Sequence, residues 1–249
     1  MSAGPFPTSP PLKTGRTLVV IPAYDEEGRV GRVVRRVREA APCVEILVVD
    51  DGSGDGTARE AREAGARVVS HPFNMGYGET VKTGLSLAAA GDFDIVVHMD
   101  GDGQHDPASM PGLLAAVRDG GADIAIGSRF TGGGAYRAPL LRRLGILIFS
   151  RIVSLAVGSA FTDPTSGFAA LGRAAVLRLG ASPLYPADFP DADLIIMAHR
   201  AGMRVVEVPV LMHESPPGKR SMHAGSASLY YVFKMFLAIF LALLRKNPF

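Results

Sequence analysis

A short apolar run in the middle of the chain ends in an acidic turn that contains glycine. Residues 95–99 have the pattern of a buried strand, and Asp100, Gly101, Asp102 and Gln104 follow it. Two carboxylates and an amide oxygen at alternate positions are hard ligands, which suit Mg²⁺ or Mn²⁺ held together with substrate phosphates. The glycine lets a bulky anion approach the backbone. The spacing therefore predicts a site for a metal–diphosphate.

The alternative interpretation is an acidic turn that caps the next helix. Asp106 followed by Pro107 is a typical helix start, with the aspartate as N-cap. This role accounts for Asp106 but not for Asp100 and Asp102, because two like charges at a strand end repel each other without a cation. In an open parallel sheet, ligands also bind at the edge formed by the C-terminal ends of the strands.

Composition narrows the class of protein. The chain has 249 residues, of which 47% are hydrophobic and 20% charged, so it fits one large α/β domain and wholesale disorder is excluded. A net charge of +2 gives no basis for nucleic-acid binding. Cys43 is the single cysteine, which excludes an intrachain disulfide and favours a reducing compartment. Because it precedes an apolar strand, we expect Cys43 to pack in the core.

Alternating strand and helix patterns predict a mostly parallel sheet with right-handed crossovers. The expected strands are 17–21, 44–49, 67–70, 95–99, 123–127, 167–171 and 204–208. The expected helices are 28–41, 57–64, the segment from Gly78 to about 90, 107–119, 140–157 and 191–201. Residues 1–16 have four prolines and no apolar stretch, so they predict a disordered tail and not a signal peptide.

Six short motifs occur in a fixed order along the chain. They are 21–26 (IPAYDE), 49–53 (VDDGS), 74–78 (NMGYG), 100–105 (DGDGQH), 127–130 (GSRF) and 163–168 (DPTSGF). Together they resemble inverting glycosyltransferase family 2, and more narrowly its dolichol- and polyprenyl-phosphate mannosyl- or glucosyltransferases. The resemblance runs from about residue 17 to 225 and implies one catalytic domain with the Rossmann-like α/β fold called GT-A, with helices on both faces.

The resemblance also implies how a nucleotide-diphosphate sugar, the donor, would be bound. The residues that would contact the donor are Pro22, Tyr24, Glu26, one of Asp50 or Asp51, Asp100 and Gly101. A carboxylate can accept hydrogen bonds from a base imino group and a ribose hydroxyl. Asp100, Asp102 and Gln104 would hold Mg²⁺ or Mn²⁺, with Asp102 as the direct ligand, and the metal would neutralise charge on the leaving nucleoside diphosphate.

Further positions are assigned to the sugar and the acceptor by the same resemblance. Arg129 would lie near the sugar and phosphates as a catalytic residue, and Asp163 and Ser166 would contact the acceptor. One of Arg142 and Arg143 would face an acceptor phosphate, because a guanidinium fits phosphate oxygens, while the other faces solvent.

A basic loop near the C-terminus has two interpretations. Lys219 and Arg220 lie in a segment rich in proline and glycine, which would either close over the diphosphate or stay solvated. The family often has an arginine where this chain has Ser215, so the family's pattern does not transfer directly to this loop.

The acceptor decides the mechanism. A polyprenyl phosphate is already anionic and can attack the anomeric carbon directly, whereas a soluble hydroxyl acceptor needs a general base. Asp191 and Asp193 lie where many family members keep a catalytic carboxylate, but they also suit the N-terminus of the next helix. A third hypothesis is a non-catalytic protein that only binds a nucleotide sugar.

The C-terminal segment 226–249 predicts an apolar helix. Its apolar run, 229–244, is interrupted by Lys234 and falls short of the length of a confident membrane span. Aromatic and basic residues favour an amphipathic helix at a membrane surface, and hence a peripheral protein at the inner face of the cytoplasmic membrane. The alternatives are a helix docked on the core or one in a homo-oligomer interface.

Overall fold

The computed structural model describes residues 15–131, 140–188, 190–213 and 226–245, which form seven strands and eight α-helices. The strands are β1 (Thr17–Ala23), β2 (Glu45–Asp50), β3 (Arg67–Ser70), β4 (Ile95–His98), β5 (Ile124–Ser128), β6 (Ala169–Gly172) and β7 (Val205–Pro209). The helices are α1 (Val30–Ala40), α2 (Thr57–Glu63), α3 (Tyr77–Ala90), α4 (Met110–Arg118), α5 (Leu140–Val157), α6 (Arg173–Ala181), α7 (Ala192–Arg200) and α8 (Ser226–Leu244).

All seven strands belong to one sheet, in the order β3-β2-β1-β4-β6-β5-β7. Strand β6 runs antiparallel to both of its neighbours, and the other pairs are parallel. The predicted α/β class with a mostly parallel sheet is confirmed. The antiparallel strand has a functional consequence, because the loop that enters β6 lies at the same edge as the loops that leave the parallel strands.

Apolar side chains fill both faces of the sheet. One face is covered by α1, α2 and α4, and the other by α3, α5, α6, α7 and α8. Helix α1 buries a valine stripe, Val30, Val33, Val34 and Val37, through spacings of three and four residues. Every residue of the central strand β1 is buried, so the sheet gives the site loops a rigid base.

The predicted elements need two corrections. Strand β1 continues through Pro22 to Ala23 instead of ending at Ile21. The backbone carbonyl of Val20 accepts a hydrogen bond from the backbone N–H of Met99, so the backbone groups of residue 20 point toward β4. Those of residue 22 point the same way, but β4 has already ended at His98. The missing proline N–H therefore costs no ladder hydrogen bond. Helix α6 is absent from the predicted elements, because its small residues give little periodic pattern.

Cys43 is exposed, which contradicts the expected core position. It lies in the turn between α1 and β2, and the buried part of β2 begins only at Ile46. Asp106 does cap the next segment as predicted, because its side chain accepts from the backbone N–H of Ala108 at 3.0 Å. The capped segment starts with a 3₁₀ turn, Pro107–Ser109, before α4. Most of the predicted N-terminal tail lies outside the described residues.

The predicted C-terminal helix is present as α8 and packs against α7. Met235, Ile239 and Ala242 are buried in the core, and Phe236 contacts Phe149 of α5 with ring centroids 5.2 Å apart. Helices of the described chain are all too short or too polar to cross a membrane.

Candidate active site

Five loops meet at one edge of the sheet and form the candidate active site. Four follow the strands β1, β2, β4 and β5, and the fifth, 161–168, precedes the antiparallel β6. In open α/β sheets this edge is where ligands bind. The sequence-predicted residues that lie in or beside these loops are Pro22, Tyr24, Glu26, Asp50, Asp51, Asp100, Gly101, Asp102, Gln104, Arg129, Asp163 and Ser166.

Asp100, the first carboxylate of the acidic turn, is held from two sides. Its Oδ1 accepts a hydrogen bond from the Tyr77 hydroxyl at 2.7 Å, and its backbone N–H donates to Nδ1 of His105 at 3.1 Å. His105 is buried and stacks on Phe168, with ring centroids 5.0 Å apart. The acidic turn is therefore tied both to α3 and to the start of β6.

The remaining residues of the turn fit a hard divalent cation. Asp102 accepts from the backbone N–H of Gln104 at 3.0 Å across Gly103, whose φ of 84° favours glycine. Asp100, Asp102 and Gln104 are all partly exposed. The described ranges contain no group of three His, Cys, Asp or Glu side chains able to hold a metal. A cation here would complete its shell with substrate oxygens, as Mg²⁺ does in phosphate-transfer sites.

The loops after β1 and β2 are bonded to each other. Asp25 has a φ of 51°, and its backbone N–H donates to the Ser53 hydroxyl at 3.0 Å. Glu26 is buried, and its backbone N–H donates to the Thr57 hydroxyl at 2.8 Å. The Tyr24 ring remains half exposed at the tip. These contacts build one fixed wall, with an aromatic ring that a nucleoside base can contact.

Asp50 and Asp51 have different surroundings. Asp51 accepts from the backbone N–H groups of Met75 and Gly76, both at 2.9 Å, and one of its oxygens lies 2.7 Å from Nδ1 of His71. Its carboxylate therefore anchors the loop between β3 and α3. Asp50 accepts a longer bond, 3.2 Å, from a backbone N–H in the next turn. Of the two, Asp50 has more acceptor capacity for a nucleoside.

Arg129 and Asp163 form a buried ion pair. Asp163 accepts from Nε of Arg129 at 2.5 Å and from its backbone N–H at 3.0 Å, and a second guanidinium nitrogen completes a bidentate contact. Glu207 of β7 holds the same loop by accepting from the backbone N–H of Thr162 and Asp163. Burial raises the pKa of Glu207 above its ordinary value. The Arg129 side chain therefore points toward the loop that precedes β6. Its role at the sugar remains a prediction.

Asp191 and Asp193 face different cavities. The Asp191 side chain makes no capping bond to α7, and with Tyr77 it lines a cavity of about 40 Å³ beside the acidic turn. Asp193 is buried, and its Oδ1 accepts from the backbone N–H groups of Asp191 (3.2 Å) and Leu194 (2.9 Å). It lines another cavity, about 290 Å³, against α8. Burial raises the pKa of Asp193 from 3.8 to about 6.

The predicted acceptor residues are only partly described. Ser166 lines the small cavity beside the acidic turn, and Arg143 is exposed on α5. The side chain of Arg142 and the whole of Lys219 and Arg220 lie outside the described residues. The structure therefore brings Ser166 to the site and leaves the roles of the basic residues as predictions.

Three residues near the site were not singled out in the sequence. Tyr77 and His71 lie in or beside the 74–78 motif, where their own side chains gave no separate signal. Glu207 had one available signal, because it is a lone acid inside an apolar strand. Burial and the Asp100 carboxylate raise the pKa of Tyr77 well above its usual value, so its hydroxyl stays protonated.

The fold and the match to a family model together define the class of protein, a glycosyltransferase with a GT-A fold. The sequence profile of glycosyl transferase family 2 matches residues 18–180. The chain belongs to glycosyltransferase family 2, as its motifs predicted.

Similar proteins agree with this assignment. The chain is 36% identical over 230 residues to polyprenol monophosphomannose synthase of Mycolicibacterium smegmatis, covering 89% of this chain and 86% of the relative. It is 34% identical over 219 residues to undecaprenyl-phosphate mannosyltransferase of Micrococcus luteus, covering 84% and 88%. The crystal structure of glucosyl-3-phosphoglycerate synthase from Mycobacterium tuberculosis with Mn²⁺ and UDP-glucose has a TM-score of 0.67 at 23% identity, covering 92% of this chain and 79% of that one. This last likeness shows the fold.

Proposed function

We propose that the protein moves a hexosyl unit from a nucleotide-diphosphate sugar to a polyprenyl phosphate, with inversion at the anomeric carbon and with Mg²⁺ or Mn²⁺. The observation that carries the proposal is the partly exposed Asp100–Asp102 turn beside the wall formed by the loops after β1 and β2. The acceptor class is supported by the two bacterial relatives, whose names specify polyprenol and undecaprenyl phosphate.

The donor half of the site divides into two parts. Asp100, Asp102 and Gln104 would hold the cation, which when bound offsets the negative charge that develops on the leaving nucleoside diphosphate. Tyr24 and Asp50 would contact the nucleoside, the first by its exposed ring and the second by its spare acceptor capacity. Gly101 lies at the back of the turn, where a Cβ would come within 3.1 Å of the Pro22 carbonyl, so the turn can pack closely on β1.

The proposed transfer is a single displacement. An oxygen of the acceptor phosphate forms a bond to the anomeric carbon while the bond to the donor diphosphate breaks and the diphosphate leaves with the electron pair. A phosphate anion carries no proton that must be removed, so no general base is needed. Positioning of the anion beside the donor is then the main task of the protein.

A soluble hydroxyl acceptor is the second candidate, and the position of Asp191 favours it over other rivals. Asp191 lines the cavity beside the acidic turn, whereas Asp193 faces away toward α8, so Asp191 is the one candidate base of the two. Replacing Asp191 with Asn separates the candidates. The phosphate acceptor predicts that transfer is largely retained, whereas loss of roughly 100-fold or more would indicate general-base catalysis.

We also propose that the protein is peripheral at the inner face of the cytoplasmic membrane. The outward face of α8 carries exposed apolar side chains, and the large apolar side chains exposed on this helix are Phe233, Phe236, Leu237, Phe240, Leu241, Leu243 and Leu244. Helix α5, which contacts α8, adds exposed Leu147 and Leu155, with exposed Arg143 and Arg151 on the same helix. Apolar surface with neighbouring arginines suits an interface that contains anionic lipid.

Transfer from a panel of donors tests the function. GDP-mannose, UDP-glucose and UDP-N-acetylglucosamine are each incubated with Mn²⁺ and undecaprenyl phosphate, and lipid-linked sugar is measured. One donor is expected to give product, and Asp102→Asn is expected to lower the rate by about 100-fold or more while the fold is retained. Failure of every donor, or full activity of the variant, would contradict the proposal.

A further inference from the structure

Tyr77 links the end of β4 to the acidic turn. It is the first residue of α3, and its hydroxyl lies 2.7 Å from Oδ1 of Asp100 and 3.1 Å from Nε2 of His98. The ring centroids of Tyr77 and His98 are 5.8 Å apart. His98 is buried as the last residue of β4, two positions before Asp100. A tyrosine on a helix therefore bridges two residues on the same strand end.

The direction of the hydrogen bonds follows from the donors and acceptors present. An ionised carboxylate can only accept, so the Tyr77 hydroxyl proton points to Asp100. The Tyr77 oxygen is then left as an acceptor, and Nε2 of His98 must carry a proton to donate to it. This tautomer is assigned from the network. The chain runs in one direction, from the His98 ring through Tyr77 to Asp100.

Packing leaves the bridge little freedom to move. A Cβ at Gly167 would lie 2.8 Å from the Tyr77 oxygen and 3.0 Å from Oδ2 of Asp100, so only glycine fits there without displacing them. The backbone N–H of Gly78 donates to the Ala187 carbonyl at 2.9 Å, which ties the first turn of α3 to the loop before α7. Helix α3 and the loop before β6 together confine the Tyr77 hydroxyl.

We propose that Tyr77 is a positioning residue that fixes the rotation of the Asp100 carboxylate, so that Oδ2 is presented to the divalent cation. The inference rests on the proposed function. Oδ2 lies 3.8 Å from Nε2 of His105, beyond hydrogen-bond distance, whereas Oδ1 is taken by Tyr77. Without the Tyr77 hydroxyl, the carboxylate can rotate and the cation meets a less ordered ligand.

Removing the hydroxyl in Tyr77→Phe tests the proposal by metal binding instead of by activity. Mn²⁺ is titrated into the full chain in the presence of GDP and, separately, UDP, and free Mn²⁺ is followed by electron paramagnetic resonance. The expected result is about 10- to 100-fold weaker Mn²⁺ binding, which is the usual effect of removing a partner of a metal ligand. Tyr185→Phe is the matched control, because it removes the hydroxyl of another buried tyrosine, which interacts with Asp193 and Asp191, and it should leave Mn²⁺ affinity unchanged.

A second variant guards against a simple folding defect. Gly167→Ala adds a methyl group against both the Tyr77 oxygen and Asp100, so it should weaken Mn²⁺ binding while the Tyr77 side chain is intact. Unchanged Mn²⁺ affinity in both folded variants, with tight binding by the unaltered protein, overturns the positioning role and leaves the proposed function standing. Absence of Mn²⁺ binding by the unaltered protein overturns the metal-dependent function itself, and the inference with it.

Discussion

At the scale of single residues, neighbouring acids of this chain have different roles. Asp50 and Asp51 are adjacent, yet Asp51 is occupied by the loop between β3 and α3. Asp191 and Asp193 are two positions apart, yet Asp193 faces α8. The sequence placed Asp50 and Asp51 at this edge because they follow an apolar run, and the family resemblance pointed to Asp191 and Asp193. It could not distinguish within each pair, since the partners of these side chains come from loops distant along the chain.

The buried carboxylate of Asp193 predicts a pH dependence of stability. Its pKa is raised from 3.8 to about 6, so the folded protein binds the proton more tightly than the unfolded chain. The unfolding free energy should therefore fall as pH rises from about 4 to about 6, by up to ~3 kcal/mol from this group. Asp193→Asn, which keeps an acceptor for both backbone N–H groups, should lack this fall and be more stable at pH 7.5.

Urea denaturation at pH 4.5, 6 and 7.5 measures this effect. Asp193→Ala serves as the comparison, because it removes the charge and also the two hydrogen bonds, and it should be less stable than the Asn variant at every pH. An Asn variant whose stability follows the unaltered protein in parallel across this pH range would show that Asp193 does not titrate there.

The buried pair of Arg129 and Asp163 predicts a large loss of stability. Asp163→Asn leaves the Arg129 charge buried without its counter-ion, which should cost about 3–5 kcal/mol of unfolding free energy. Glu45→Gln is the control, because Glu45 pairs with Arg16 at 2.6 Å but both side chains are largely exposed, and the expected change is only about 0–1 kcal/mol. Chemical denaturation measures both, and equal effects would contradict the assignment.

At the scale of elements, the sequence identified most strands and helices but not how β6 runs. The apolar run 167–171 indicated a strand, and nothing within it specified an antiparallel direction. The direction depends on how β6 pairs with β4 and β5, which are distant along the chain. Because β6 is antiparallel, Ser166 and Gly167 lie at the site although they precede a strand, whereas the other site loops follow one. The role of Tyr77 could not be predicted for a similar reason, since its partner Asp100 lies 23 positions away.

Helix α8 predicts membrane binding through its outward face. Phe233→Ser together with Phe240→Ser removes two of its most exposed rings and should lower the affinity for anionic vesicles by up to about 1,000-fold, because each aromatic ring that the membrane buries contributes on the order of 2 kcal/mol. Leu177→Ser on α6 is the matched control, since this leucine is also exposed but lies on another helix.

Flotation with vesicles of phosphatidylglycerol and phosphatidylcholine measures this binding. The unaltered protein and the α6 variant should float with the vesicles, and the α8 double variant should remain at the bottom of the gradient. Equal flotation of all three would indicate that α8 does not contact lipid.

At the scale of the whole molecule, the fold provides one rigid sheet and places the proposed chemistry on its loops. The two cores fix the strand ends, and hydrogen bonds between loops fix the walls of the site. The fold class and the acidic turn could be predicted because they depend on local pattern and on motif order. The packing of α8 on the core depends on side-chain complementarity that no local pattern contains.

The central claim is that Asp100 and Asp102 bind a divalent cation together with a donor diphosphate. A crystal soaked with Mn²⁺ and a nucleotide sugar that supports transfer tests it directly, because manganese is located by its anomalous scattering. We predict a manganese peak at about 2 Å from a carboxylate oxygen of Asp102, with diphosphate oxygens in its coordination shell. A bound donor whose diphosphate and manganese lie away from both aspartates would contradict the account.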